Sequence, residues 1–352
     1  MRTLNNQAII VLGMHRSGSS ALTRVLNLHG MELGSRLMAP QTDNETGFWE
    51  HQDIVDIHDQ ILKTLNSAWD DEILPDQWWL KTSLRPYRKE LAKILLREFS
   101  QYRLWGTKDP RMCRLLPLWF PLFEKLKCRP VFVLGIRHPL EVAKSLEKRN
   151  GFSLQRGERL WFQHSLLLER STRGFPRAIV PYEQLLSDWK NVVCRVQAAL
   201  KAPWPKIPAD REIDQFLNPS MRHHKASETS NLSASTLQTY DAFINGFKGN
   251  QKAMTKTLDV IYSASEAILS LPANRPVRLA VAPMLDAVAQ LNSEKQAEEI
   301  HLKGAKIRLL QRWISRGLSW FKRIFDRWDP PGGHLAPAIF RLITRRPKTV
   351  VN

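Results

Sequence analysis

The stretch that most constrains this chain is its opening. Residues 8–13 read Ala-Ile-Ile-Val-Leu-Gly, an apolar run rich in β-branched side chains that stops at a glycine. Met14, His15, Arg16, Ser17, Gly18, Ser19 and Ser20 follow as a small-residue loop, and Leu22, Val25, Leu26 and His29 then recur at helical spacing. The pattern predicts strand, loop and helix in that order, the start of an α/β unit. It also predicts a site for an anion. Gly13 and Gly18 let the backbone turn its N–H groups inward. The helix beginning near Gly18 contributes the positive end of its dipole, and Arg16 adds a charge that does not titrate near neutral pH. The hydroxyls of Ser17, Ser19 and Ser20 are further donors.

Two more strand–helix units follow. Residues 130–137 (Pro-Val-Phe-Val-Leu-Gly-Ile-Arg) read as a buried strand, and Pro139 suits the first turn of the helix after it. Residues 178–182 read as a third strand, with a helix over 183–200. Three such units with short connections predict a parallel sheet flanked by helices. Between the first two lies a helical, tryptophan-rich insertion at 53–119, placed to line or lid a pocket above the C-terminal strand ends. Beyond Trp204 the pattern weakens into a polar loop at 218–235 and helices at 236–271 and 281–302, joined by 272–283. The expected organisation is a main domain over 1–230, a helical extension over 231–302 and a basic amphipathic tail over 303–352.

Gly13 and Gly18 have the spacing of the nucleotide loop G-x-x-x-x-G-K-[ST], but Ser19 stands where its lysine would reach the β- and γ-phosphates. The cation sits inside the loop instead, at Arg16. A second anion site is predicted where Arg137 ends a strand and Ser145 lies two turns into the next helix, since a guanidinium and a hydroxyl can clasp one phosphate. Arg222, His223 and His224 in the late loop are candidates to join it.

These motifs carry a resemblance. Arg16-Ser17-Gly18-Ser19-Ser20 resembles the 5′-phosphosulfate loop of sulfotransferases, and Val133-Leu134-Gly135-Ile136-Arg137-His138-Pro139 with Ser145 resembles their 3′-phosphate motif. Lys108-Asp109-Pro110 is similar to a segment of the tyrosylprotein and related Golgi enzymes, and Tyr182-Glu183 to the segment after their third strand. The resemblance spans residues 8–222, lies closer to the bacterial and Golgi-type branch than to the cytosolic one, and implies a P-loop NTPase-like α/β fold. It implies 3′-phosphoadenosine 5′-phosphosulfate (PAPS) as co-substrate, held by His15, Arg16, Ser17, Gly18, Ser19, Ser20, Arg137, Ser145 and Tyr182. It also implies sulfuryl transfer to an acceptor hydroxyl or amine; no metal is expected, since no residue resembles a Mg²⁺-holding acid after a strand, and a glycan or glycolipid acceptor is expected from the basic pattern of the C-terminal tail. Arg16 and Lys108 would stabilise charge, and Glu50, which follows Gly47-Phe48-Trp49, would be the base, with His51 as its rival. A divergent P-loop kinase and a non-catalytic nucleotide-binding protein are the alternatives.

Composition narrows the setting. No apolar run approaches the roughly 18 residues needed to cross a bilayer, and no secretory leader is expected before the first strand. Cys113, Cys128 and Cys194 lack metal-ligand spacing and make a poor disulfide framework, which suits a cytoplasm. The net charge of +18 is uneven: residues 301–352 hold twelve Lys or Arg against two Asp. Ile307, Leu310, Ile314, Leu318, Phe321, Phe325 and Trp328 share one helical face there, with basic residues over the rest. That pattern suits the inner face of an anionic membrane, with no nucleic-acid partner expected.

Overall fold

The computed structural model describes residues 3–42, 44, 46–71, 74–75, 77–217 and 232–269, the last six as helix backbone. The expectations for Arg222, His223 and His224, for the helix at 281–302 and for the tail at 303–352 lie outside the described residues.

Four strands, β1 (Gln7–Leu12), β2 (Leu104–Lys108), β3 (Arg129–Ile136) and β4 (Arg177–Pro181), form one sheet in the order β2-β1-β3-β4. Every neighbouring pair is parallel. Strand side chains alternate between the two faces, and both faces are buried. Ala8, Ile10 and Leu12 of β1 join one apolar cluster with α2 (Gln52–Thr64), α3 (Arg85–Phe99), α4 (Met112–Leu126) and α6 (Leu154–Ser171). Ile9 and Val11 join the other, with α1 (Ser19–Leu28) and α8 (Trp189–Leu200). Near-continuous apolar strands are what such two-sided burial requires. The expected parallel sheet flanked by helices is therefore present.

Its details differ from the sequence pattern in three places. The stretch expected to be a helical insertion contains β2. Trp105-Gly106-Thr107-Lys108 lacks a long apolar run, yet all of it is buried because it pairs with β1 on one side while the backbone of Glu32 covers the other. Gly106 is required there: a Cβ would lie 2.3 Å from Met31 Sδ and 2.8 Å from the Ile9 carbonyl oxygen. The helix expected over 183–200 is two, α7 (Tyr182–Ser187) and α8, because the Asp188 carboxylate caps the second by accepting from Asn191 N–H. After the short α9 (Asp210–Phe216), the helix expected over 236–271 breaks into α10 (Ala234–Phe247) and α11 (Gln251–Leu269) around Gly249, whose φ is +101°. Phe243, Met254 and Leu258 are core residues, and the compact unit runs from Met1 to Tyr262.

Each crossover returns the chain to the same end of the sheet, so the loops after all four strands open on one edge. In a 2-1-3-4 order the chain leaves β1 in opposite directions on its two sides, and ligands of such sheets bind in the crevice beyond the C-terminal ends of β1 and β3.

Candidate active site

The loop after β1 closes on itself. Ser17 N–H and Ser17 Oγ both donate to the Met14 carbonyl, at 3.1 and 2.6 Å, and Arg16 takes a left-handed backbone with φ +68°. Gly18, at φ +81°, is the N-cap of α1, and Ser19 and Ser20 are its first residues. No side chain caps that helix and no acid lies in its first turn, so its positive end is left for a ligand. The ring of Tyr182 packs on Gly18 where a Cβ would stand, only 2.1 Å from Tyr182 Cδ2. Tyr182 therefore shapes the loop from beneath.

The two expected anion motifs meet. Arg16 Nε donates to Ser145 Oγ at 2.8 Å, and Arg137 Nη1 donates to the Arg16 carbonyl at 3.3 Å. Arg137 lies 4.7 Å over the Tyr182 ring. Arg137 Nε donates to Glu141, one turn along α5 (Pro139–Asn150), at 2.9 Å. Arg137 Nη2 is a buried donor with no hydrogen-bond partner among the described residues. The His15 ring lies 4.2 Å from Trp69. Burial first, then the nearby Arg111 and Arg149, hold its pKa well below the usual imidazole value, so it is neutral.

Register places Lys108 beside Val11, one strand from the loop. Its ammonium donates to Glu50 Oε1 at 2.5 Å, and both residues are buried. Trp49, with φ +56° and the Arg24 guanidinium 4.5 Å over its ring, precedes Glu50. Arg111 Nη1 stands 3.8 Å from Glu50 Oε2. Burial raises the Glu50 pKa, against the pull of Lys108 and Arg111. His51 faces away from this pair: its Nε2 lies 3.6 Å from Glu98 and its ring packs near Phe99. Glu98 in turn accepts from the N–H and hydroxyl of Ser35 and from Arg97. The structure thus gathers Arg16, Ser17, Gly18, Ser19, Ser20, Arg137, Ser145 and Tyr182 around the β1 and β3 ends, sets Lys108 and Glu50 together at the β2 end, places the His15 ring against Trp69 and turns the His51 ring to Glu98.

Sequence reasoning passed over Arg111, His58 and Trp119. His58 lies on the apolar stripe of Ile54, Ile57 and Ile61, and a polar group on a buried face needs a partner. Its partners are Asp109 and Trp119.

No family model matches the chain, and no curated protein matches it. Among solved structures the chain is similar to the sulfotransferase domain of the Synechococcus PCC 7002 olefin synthase, at 18% identity over 69% of this chain and 96% of that one, with a TM-score of 0.43. It is similar to the sulfotransferase domain of the curacin biosynthetic pathway at 14% identity over 64% of this chain and 82% of that one, with a TM-score of 0.35. Mouse sulfotransferase SULT7A1, solved in complex with PAP, is 12% identical over 75% of this chain and 91% of that one, with a TM-score of 0.35.

Proposed function

We propose that this chain transfers a sulfuryl group from PAPS to an acceptor hydroxyl or amine. The observation that carries the reading is the convergence of Arg16, Arg137, Ser145 and the uncapped start of α1 at one end of the sheet, beside a buried Lys108–Glu50 pair. PAPS carries anionic groups at both ends, and the residues fit it. The start of α1 offers backbone N–H groups, Arg137 offers a buried donor, and Tyr182 leaves room only for Gly18 beneath the loop.

The chemistry follows from the charges. The acceptor oxygen or nitrogen forms a bond to sulfur as the bond from sulfur to the 5′-phosphate oxygen breaks. Glu50 takes the acceptor proton, and its raised pKa suits a base. As Glu50 becomes neutral, Lys108 loses the counter-charge on Oε1 and turns its pull toward the charge gathering on the transferring oxygens. The base and the electrophilic cation thus act in one step. The acceptor proposed is a glycan or glycolipid met at the inner face of an anionic membrane, which the basic tail would contact; the support for this is the charge and apolar pattern of residues 303–352.

Calorimetric titration with adenosine 3′,5′-bisphosphate (PAP) and with MgATP tests the reading together with turnover of PAPS. PAP should bind without Mg²⁺ and more tightly than MgATP. Arg16→Ala should lose on the order of 10²–10³ in turnover. Tighter binding of MgATP, or near-normal turnover by Arg16→Ala, would overturn the proposal.

A further inference from the structure

Behind the Lys108–Glu50 pair runs a chain of buried hydrogen bonds. Trp119, His58 and Asp109 are each fully buried. The indole N–H of Trp119 can only donate, and it donates to His58 Nε2 at 2.9 Å. Nε2 therefore holds a lone pair, and the proton of the neutral ring sits on Nδ1. Nδ1–H donates to Asp109 Oδ2 at 2.7 Å. The other Asp109 oxygen accepts from Arg111 N–H at 2.9 Å and from Arg111 Nη1 at 3.0 Å. Both Asp109 oxygens are thus engaged by protein donors. Its sequence neighbour Lys108 holds one Glu50 oxygen, and Arg111 stands near the other.

We infer that His58, with its tautomer set by Trp119, is a positioning residue that acts through Asp109 to hold Lys108 and Arg111 in place on either side of Glu50. The inference rests on the proposed role of Glu50 as the base. Burial pushes the Asp109 carboxyl up, but Arg111 and the His58 bond more than offset it and hold it well below the usual carboxylate range. Without the His58 donor, the strong partner left to the buried Asp109 carboxylate among the described residues is Arg111. That guanidinium is drawn fully onto Asp109 and away from Glu50. Glu50 then loses one of the charges that lower its pKa, so the pH at which it becomes a competent base moves up.

The test measures release of PAP from PAPS, with water and with 4-nitrophenol as acceptors, across pH. His58→Leu should lower kcat on the order of 10²-fold, leave KM for PAPS unchanged, and move the acid limb of the kcat profile upward. His58→Asn keeps a donor in the place of Nδ1 and should restore most of kcat and the limb. Trp119→Phe frees the tautomer and should fall between them. Nitrogen-15 NMR of the wild type should show His58 protonated on Nδ1, which keeps the inference testable if His58→Leu fails to fold. An unmoved limb in His58→Leu, equal damage from His58→Leu and His58→Asn, or an Nε2–H tautomer would each overturn the positioning role. A wild type that turns over no PAPS overturns the function reading itself, and the positioning role with it.

Discussion

The Lys108–Glu50 pair gives the sharpest energetic prediction. The two groups are 2.5 Å apart and almost fully buried. At an effective dielectric constant of about 20, opposite charges at that separation attract by roughly 7 kcal/mol. Desolvating each ion costs several kcal/mol, so the intact pair contributes little net stability. Removing one partner is different, because it leaves the other charge buried and uncompensated. Lys108→Met and Glu50→Gln should each destabilise the fold by about 3–5 kcal/mol, whereas the double variant should lie near the wild type. The coupling in a double-mutant cycle, the two single costs less that of the double, should then be about 6–10 kcal/mol. Lys108→Met also carries a pH signature. Its Glu50 loses the cation that lowers its pKa, so the folded value rises further above that of the unfolded chain. Stability is highest below the usual glutamate range and falls by up to about 1.4 kcal/mol per unit as pH climbs through the window between those two values. Urea unfolding from pH 4.5 to 8 reads both effects. A double variant that costs the sum of the singles, or a Lys108→Met deficit that shrinks as pH rises, would refute the picture of a buried pair. A double variant that folds as well as the wild type but transfers nothing would separate catalysis from stability.

Three further outcomes follow from the geometry. Gly18→Ala forces a Cβ into the Tyr182 ring at a left-handed φ, costing about 1–2 kcal/mol for the backbone alone; it should weaken PAP binding in calorimetry, and adding Tyr182→Ala should recover only the steric part. The Glu98 pKa is lowered from 4.5 to about 2: burial raises it, but hydrogen bonds from Ser35 and Arg97 outweigh that. Its stabilisation is therefore complete above pH 4.5 and is lost as pH falls toward 2, so Glu98→Gln should destabilise the protein at pH 7 by about 1–3 kcal/mol and flatten the acid limb of its unfolding curve. Burial pushes the Cys113 and Cys128 thiols up to about 12 while Cys194 is exposed, so a thiol reagent at pH 8 should label Cys194 in the native protein and all three only after unfolding.

The sheet was legible wherever a strand is written as an apolar run. Residues 7–12, 129–136 and 177–181 are nearly continuous apolar runs, and each closes on a turn or helix start that the sequence also marks. β2 was hidden because its burial is supplied by partners, chiefly the Glu32 backbone and β1, rather than by its own side chains. In the site, Arg16, Lys108 and Arg137 could be picked out because each stands in or beside a strand-to-helix turn. Their partners could not. Glu50 and Lys108 are 58 residues apart in sequence, and Arg16 and Ser145 are 129 apart. His51 shows the converse. It sits beside Glu50, but consecutive side chains of an extended segment point to opposite sides, so His51 faces Glu98 while Glu50 faces Lys108.

Arg16, Arg137 and Lys108 each have a protein partner, and the identity of that partner decides what ligand binding does. Arg16 rests on the neutral hydroxyl of Ser145, and Arg137 is shared between Glu141 and the carbonyl of Arg16. An anion arriving there joins charges already oriented, so little ordering cost remains. Lys108 is tied to Glu50, a group whose own charge changes in the proposed reaction. Glu50→Gln imitates the moment after proton transfer: it leaves the ammonium buried without its counter-charge. A bound phosphate would supply that charge, so binding should relieve the strain the substitution creates. Glu50→Gln is therefore expected to bind PAP more tightly than the wild type while losing turnover, and to regain part of its lost stability when PAP is added. Weaker PAP binding by this variant, at a temperature where it is fully folded, would mean that Lys108 does not face the nucleotide, and the coupling of base and cation would have to be abandoned.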